Sequence, residues 1–153
     1  MKYRHLSFST DIVVDLLFVP ATLDKVGLTC GFKGDGHFCH KGVLARSKWL
    51  YNDIHKAKVL KRLYSDESPF KDYDLVCVGH SLGAGCASVL GIMLRPTFPS
   101  LRCYAYCPPG GLLDEDMSAK CEDFITSVVR HDDIIPRLSF HSFGKLVCMT
   151  ETN

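Results

Sequence analysis

The sequence lacks a surplus of either charge: 18 basic and 17 acidic residues leave a formal net charge of +1 over 153 residues. A partner held by bulk electrostatics, whether nucleic acid or an anionic surface, is therefore not indicated. No aromatic residues interleave with a basic stripe, which removes a second signature of nucleic-acid binding. The start, MKYRHLSFSTDIVVDLLFVP, is basic and then apolar, but Asp11 and Asp15 interrupt it and no small-residue cleavage site follows. It does not read as a signal peptide. Its longest uncharged apolar run, Leu16 to Val19, is far below the ~18 residues that a membrane span needs. Internal repeats, low-complexity stretches and linkers are missing too. Length and composition fit one globular domain with a real core: 46% of residues are hydrophobic and 23% charged.

Cysteine is not scarce. The eight cysteines are scattered through segments that read as core, where Cys acts as a small buried hydrophobe. With no signal peptide, a reducing compartment fits them better than a disulfide framework. Cys30, His37, Cys39 and His40 are metal-capable, but Cys39 and His40 are adjacent and the spacing fits no common zinc pattern.

Along the chain, residues 20–42 are rich in Gly, Thr and Asp and read as a long irregular loop. Apolar residues then recur every three or four positions from Val43 through Leu50, Ile54 and Leu60 to Leu63, which predicts one amphipathic helix over 43–64. Leu75 to Val78 reads as a buried strand, Leu82 to Leu94 as a helix ended by Arg95-Pro96, and Leu101 to Tyr106 as a second strand. A short helix at Asp114 to Cys121 and a third strand at Phe124 to Val129 follow. Strands alternating with helices imply parallel pairing and an α/β fold.

The chemistry concentrates at Gly79-His80-Ser81-Leu82-Gly83, which fits G-x-S-x-G. A nucleophile at a sharp strand-to-helix turn is held in strained geometry. Residues two places away on either side are expected to lack side chains so that strand and helix can approach. Amides at the start of the helix, Leu82 first, then point at a developing oxyanion. Such a serine needs a base, and the base an orienting carboxylate, in the chain order Ser, Asp or Glu, His. Asp133 lies in the loop after the third strand and is preferred, with Asp132 and Asp123 as competitors. Asp132 also suits a turn or cap before Ile134. Spacing alone hardly separates Asp133 from Asp132. For the base, His80 points away from the elbow and His131 precedes the acid. Only His141 follows Asp133, eight residues on, too few for the helix and strand that normally intervene. His141 is the candidate within the chain; the expectation is that the base lies beyond residue 153.

At these residues the sequence resembles the class 3 lipases, and within them the sn-1-specific diacylglycerol lipases. The likeness runs through Val76 to Gly85 (VCVGHSLGAG), Leu94-Arg95-Pro96, Tyr104-Ala105-Tyr106, Cys107-Pro108-Pro109-Gly110-Gly111-Leu112-Leu113, and Val128-Val129 with Asp133-Ile134-Ile135-Pro136-Arg137. The Pro-Pro-Gly-Gly-Leu-Leu and Asp-x-x-Pro-Arg stretches are the narrow part of the match. Upstream, His40-Lys41-Gly42 is similar to a family His-x-Gly stretch, and Asp11 with Asp15 to aspartates after its oxyanion loop. Arg4-His5-Leu6 departs from the Arg-Gly-Ser/Thr expected there, and 142–153 matches nothing.

The resemblance implies part of an α/β-hydrolase catalytic domain, with Ser81 as nucleophile and Asp133 as acid. It implies hydrolysis of the sn-1 ester of diacylglycerol, giving 2-monoacylglycerol and fatty acid, at a membrane whose cytoplasmic side holds the catalytic part. No cofactor is needed for that chemistry. Calcium enters only through the resemblance, since Asp35 is the sole acidic residue of 31–36. Two other readings stay open: a class 3 lipase or esterase acting on mono- or triacylglycerol, and an inactive lipase-like chain that binds lipid or a partner.

Overall fold

The computed structural model describes residues 19–137. Its centre is a three-stranded parallel sheet in the order β3-β4-β5, made of β3 (Val76–His80), β4 (Arg102–Tyr106) and β5 (Ile125–Val128). Parallel strands need crossovers. Here β3 reaches β4 through α4 (Leu82–Leu94), and β4 reaches β5 through the short α5 (Glu115–Ala119). The register sets His80 opposite Tyr106, and Tyr106 opposite Val128, so all three strands finish along one edge. The α/β class expected from the alternation is the one found.

Helix α4 forms because its sequence, LGAGCASVLGIML, contains neither charge nor proline and is apolar around its circumference. It is buried on nearly every side, with Val89, Ile92, Met93 and Leu94 at most 3% exposed. Each such side chain contributes about 1.5–3 kcal/mol when withdrawn from water. Gly91 lets the helix lie close on the sheet: a Cβ there would meet Leu101, Cys103 and Phe124 at 3.5–3.7 Å. The helix stops at Arg95, ahead of Pro96.

Among the described residues, α4 covers one face of the sheet and apolar residues of the other face are exposed. Cys103 and Ala105 turn inward and are fully buried, while Val76 and Val78 on the opposite face are 45% and 62% exposed. The strand β3, read from its apolar run as buried, is thus covered on one side. Phe124, just ahead of β5, is buried against α4.

Two expectations for the first half are corrected. Residues 20–42 are not irregular. They hold β1 (Pro20–Thr22), α1 (Asp24–Cys30) and β2 (Phe38–His40), with β1 and β2 paired antiparallel. Two of the glycines there, Gly27 and Gly34, serve packing: a Cβ at Gly27 would lie 2.6 Å from the Phe32 carbonyl oxygen and 2.7 Å from the Gly34 nitrogen. The single helix expected over 43–64 is two. Helix α2 (Lys41–Lys56) begins earlier, capped by the His40 side chain, and packs Val43, Leu44 and Ser47 inward. Lys58 then adopts a left-handed conformation (φ 53°) and the chain restarts as α3 (Val59–Leu63).

Candidate active site

Ser81 sits between β3 and α4 with φ 54° and ψ −127°, outside the regions that L-residues favour. Four hydrogen bonds and one contact over-determine this conformation. The Ser81 amide donates to the Tyr106 carbonyl at 2.9 Å, and the Ala84 and Gly85 amides donate back to the Ser81 carbonyl at 2.9 and 3.2 Å. The Cys107 amide bonds Val128 at 2.8 Å, which fixes the end of β4 behind Tyr106. A Cβ on Gly79 would fall on the Gly83 carbonyl and 2.7 Å from the Ala84 nitrogen. Gly79 is thus required bare. Gly83 is not: nothing among the described residues lies within 4 Å of a Cβ there. Of the two glycines expected to need bare positions, one does. The Leu82 amide, as the first of the helix, has no intrahelical acceptor.

Asp133 lies past the carboxyl end of β5, on the same edge as Ser81 and Cys107. Its Oδ1 accepts from the Ile135 amide at 3.0 Å, while the Arg137 guanidinium donates to its backbone carbonyl at 2.6 Å and to the His131 carbonyl at 2.8 Å. The Cys107 thiol, the Ile135 amide, and the charges of His80 and Arg137 hold its carboxyl below the usual range, against a smaller opposing effect of desolvation. The thiol is raised in return, chiefly by that carboxylate.

The competitors separate. Asp123 is at the amino end of β5, opposite the elbow, and is paired with Arg95 at 2.9 Å. Asp132 is exposed, and the cap expected of it before Ile134 is made instead by Asp133 to Ile135. His80 ends β3 on the exposed face, and His131 occupies a left-handed turn position (φ 42°). His141, Asp11, Asp15 and Arg4-His5-Leu6 lie outside the described residues.

The loop between β4 and α5 is strapped to the first half of the chain. The His40 amide donates to Leu112 at 2.9 Å and the Asp114 amide to Phe38 at 3.1 Å, around a bridge between Cys39 and Leu113. On its other side the Gly110 amide donates to Ile135 at 3.1 Å, next to Asp133. Gly85 is closely packed beneath, with a Cβ there meeting Leu112 at 3.2 Å and Pro109 at 3.4 Å. A cleft of about 360 Å³ opens under this loop, bounded by Ser88, Leu112, Cys121 and Ile125.

The metal-capable cluster is used in other ways. His37 is buried, with Nδ1 3.0 Å from Asp114 and Nε2 2.7 Å from the Lys120 ammonium. The Asp114 carboxylate also caps α5 through Met117 and accepts from the Phe38 amide. Burial would raise the Asp114 carboxyl, but these donors and His37 together hold it at about 2. Burial pushes the Cys39 thiol up to about 12. No group of three or more His, Cys, Asp or Glu suited to a metal occurs among the described residues, and no disulfide links their seven cysteines. No helix among them is long and apolar enough to cross a membrane.

Two contributors went unread in the sequence. Cys107 reads in the sequence as one more core cysteine; it follows β4 directly, as Ser81 follows β3, and that position is the available signal. The link from Asp114 through His37 to Lys120 joins residues 77 and 83 positions apart and leaves no local pattern.

Comparison with known proteins agrees with this fold. The family described as Lipase (class 3) matches residues 4–143. Diacylglycerol lipase-alpha of Homo sapiens is 41% identical over 101 residues, which is 65% of this chain and 10% of that protein. Diacylglycerol lipase-beta of Mus musculus is 36% identical over 129 residues, covering 84% of this chain and 18% of that protein. The chain therefore spans between a tenth and a fifth of these relatives. A solved structure of a mutant form of MDLA from Penicillium cyclopium superposes with a TM-score of 0.70 at 29% identity, over 90% of this chain and 47% of that one.

Proposed function

The chain belongs to the class 3 lipase family and has part of its α/β-hydrolase fold, and from that premise we propose that it carries the nucleophile and acid of an acylglycerol lipase. Ser81 attacks the ester carbonyl. The Leu82 amide, with one further N–H, receives the oxyanion. Asp133 orients an imidazole that takes the serine proton and returns it to the leaving alcohol. The substrate is diacylglycerol, cut at its sn-1 ester to give 2-monoacylglycerol and a fatty acid, at a membrane surface facing the cytoplasm. The likeness to diacylglycerol lipases supports that choice among acylglycerols.

The observation that carries the reading is the conformation of Ser81. A serine at φ 54° and ψ −127° costs stability, and the bare Gly79 beneath it exists to permit the turn. That strain lifts a hydroxyl out at the strand edge on which Asp133 also lies. The test is a fluorophosphonate probe on the full chain: labelling of wild type and none of Ser81→Ala supports the nucleophile, and equal labelling of both defeats it. Diacylglycerol carrying distinct acyl chains at sn-1 and sn-2 then tests the regiochemistry by which fatty acid is released.

A further inference from the structure

We infer that the hollow between the end of α2, the short α3 and the chain leaving α4 is a binding site for a fatty acid: the acyl chain lies against Leu60 and Phe98, and the carboxylate meets the ammonium groups of Lys58 and Lys61. The choice of a fatty acid among anionic single chains rests on the reading of this protein as an acylglycerol lipase, which releases one; the site itself does not.

The chain is nearly neutral as a whole, but between Asp53 and Asp66 it carries His55, Lys56, Lys58, Lys61 and Arg62 and no acid. Three of these, His55, Lys58 and Lys61, line a hollow of about 290 Å³. The rest of its wall is mainly apolar, and includes Tyr64 packed on Phe98 with ring centroids 5.1 Å apart. No carboxylate lines it, and among the described residues neither lysine is paired with one. Lysines lay their methylenes along apolar surface and keep the charge at the water, so a chain can fill the floor while an anionic head sits at the mouth. The volume is near the low end of the ~300–1,000 Å³ usual for ligand clefts, which suits one slender chain.

Lys58 shapes the hollow. It stands at φ 53°, where a Cβ is penalised and glycine favoured, and this turn parts α2 from α3. Glycine would make the same turn without the charge. His55 is fixed beside it, giving its Nδ1 hydrogen to the Tyr51 carbonyl at 2.9 Å. Across the hollow, the Thr97 and Phe98 amides donate to the Leu94 carbonyl at 3.0 and 2.9 Å, so that wall is anchored to α4. The thirteen residues of α4 put this end roughly 20 Å from Ser81 at ~1.5 Å per residue. A fatty acid held here is therefore separate from one leaving the reacting serine.

The test is calorimetric titration of the full chain with decanoate, below its micellar concentration and without any ester present. Two variants report on the site: Lys58→Gly combined with Lys61→Gln removes both charges and relieves the left-handed turn, and Thr97→Trp blocks the hollow from its exposed rim. Each is expected to weaken decanoate by about tenfold or more, as loss of a charged partner does, while fluorophosphonate labelling of Ser81 stays as in wild type. Decanol, equal in chain length but uncharged, is expected to bind more weakly than decanoate by a similar factor. Decanoate that binds wild type and both variants alike sits elsewhere, and the inference falls. Decanol binding as well as decanoate means the lysines select no anion, and decyl phosphate binding where decanoate does not overturns the carboxylate as the ligand. The two readings fail separately. Absent decanoate binding in a chain whose Ser81 labels defeats this site alone, whereas binding at the hollow in a chain whose Ser81 resists the probe upholds the site and defeats the lipase reading.

Discussion

The Ser81 amide reaches across to the Tyr106 carbonyl at 2.9 Å, so the turn that presents the serine is bonded to the neighbouring strand as well as to its own helix. Strand order and elbow geometry are thus one problem: β4 must be in register before Ser81 can hold its conformation.

The two glycines of the elbow should respond oppositely to a methyl group. Gly79→Ala forces a Cβ into the Gly83 backbone, and overlap with backbone cannot be relieved by a rotamer change. A loss of about 2 kcal/mol or more is expected. Gly83→Ala meets open space in a helix and should gain up to about 1 kcal/mol. Urea denaturation of both variants checks this, and the reverse order would mean that strand and helix approach differently.

Strain at Ser81 should be recoverable as stability. Left-handed and related conformations cost a non-glycine residue about 1–3 kcal/mol, and glycine returns part of that gain through its freer unfolded chain. Ser81→Gly is expected to stabilise the fold by about 1 kcal/mol while abolishing probe labelling. Ser81→Ala keeps the Cβ and should not show the same gain. Melting temperatures of the three proteins decide the matter.

Asp114 should make stability depend on pH in the acid range. Its carboxyl is held at about 2 in the fold, below the ~3.9 of an unfolded aspartate. A depressed carboxyl contributes stability that is present above the unfolded value and lost as pH falls through the folded one. Asp114→Ala, which also removes the cap of α5, should cost about 1–2 kcal/mol at pH 7. The gap from wild type should narrow between about pH 4 and pH 2. A gap constant over that window, measured by denaturant titration, would mean the carboxylate contributes nothing as a charge.

The central βαβ unit was readable because its signals are local. Leu82 to Leu94 has no charge and no breaker until Arg95-Pro96, and its helix limits agree with the structure. The elbow and the loop bearing Asp133 were legible for the same reason: each follows a strand directly. Residues 20–42 were opaque because β1 and β2 have three residues each, too short for a period, and their partners are distant (Cys39 bridges Leu113). Of the glycines that signalled a loop, Gly27 and Gly34 let backbones touch. The helix break at Lys58 had no glycine or proline to announce it; a lysine takes the left-handed position itself, while the apolar spacing runs on unbroken. Asp133 and Asp132 could not be told apart by spacing, since the difference between them is one backbone amide, that of Ile135.

The loop from Cys107 to Asp114 is bonded in three directions: to the end of β5 through Cys107, to the Asp133 turn through Gly110, and to the first half of the chain through Leu112 and Asp114, while Tyr106, just ahead of it, holds the elbow. In mechanical terms it is a keystone. The pieces around it, each short, are locked by a segment that belongs to no strand or helix. Its two prolines, with φ already fixed, give part of its outline at little entropic expense. A perturbation arriving at any one face, such as a displaced β2 or a loosened α5, would reach Ser81 and Asp133 together.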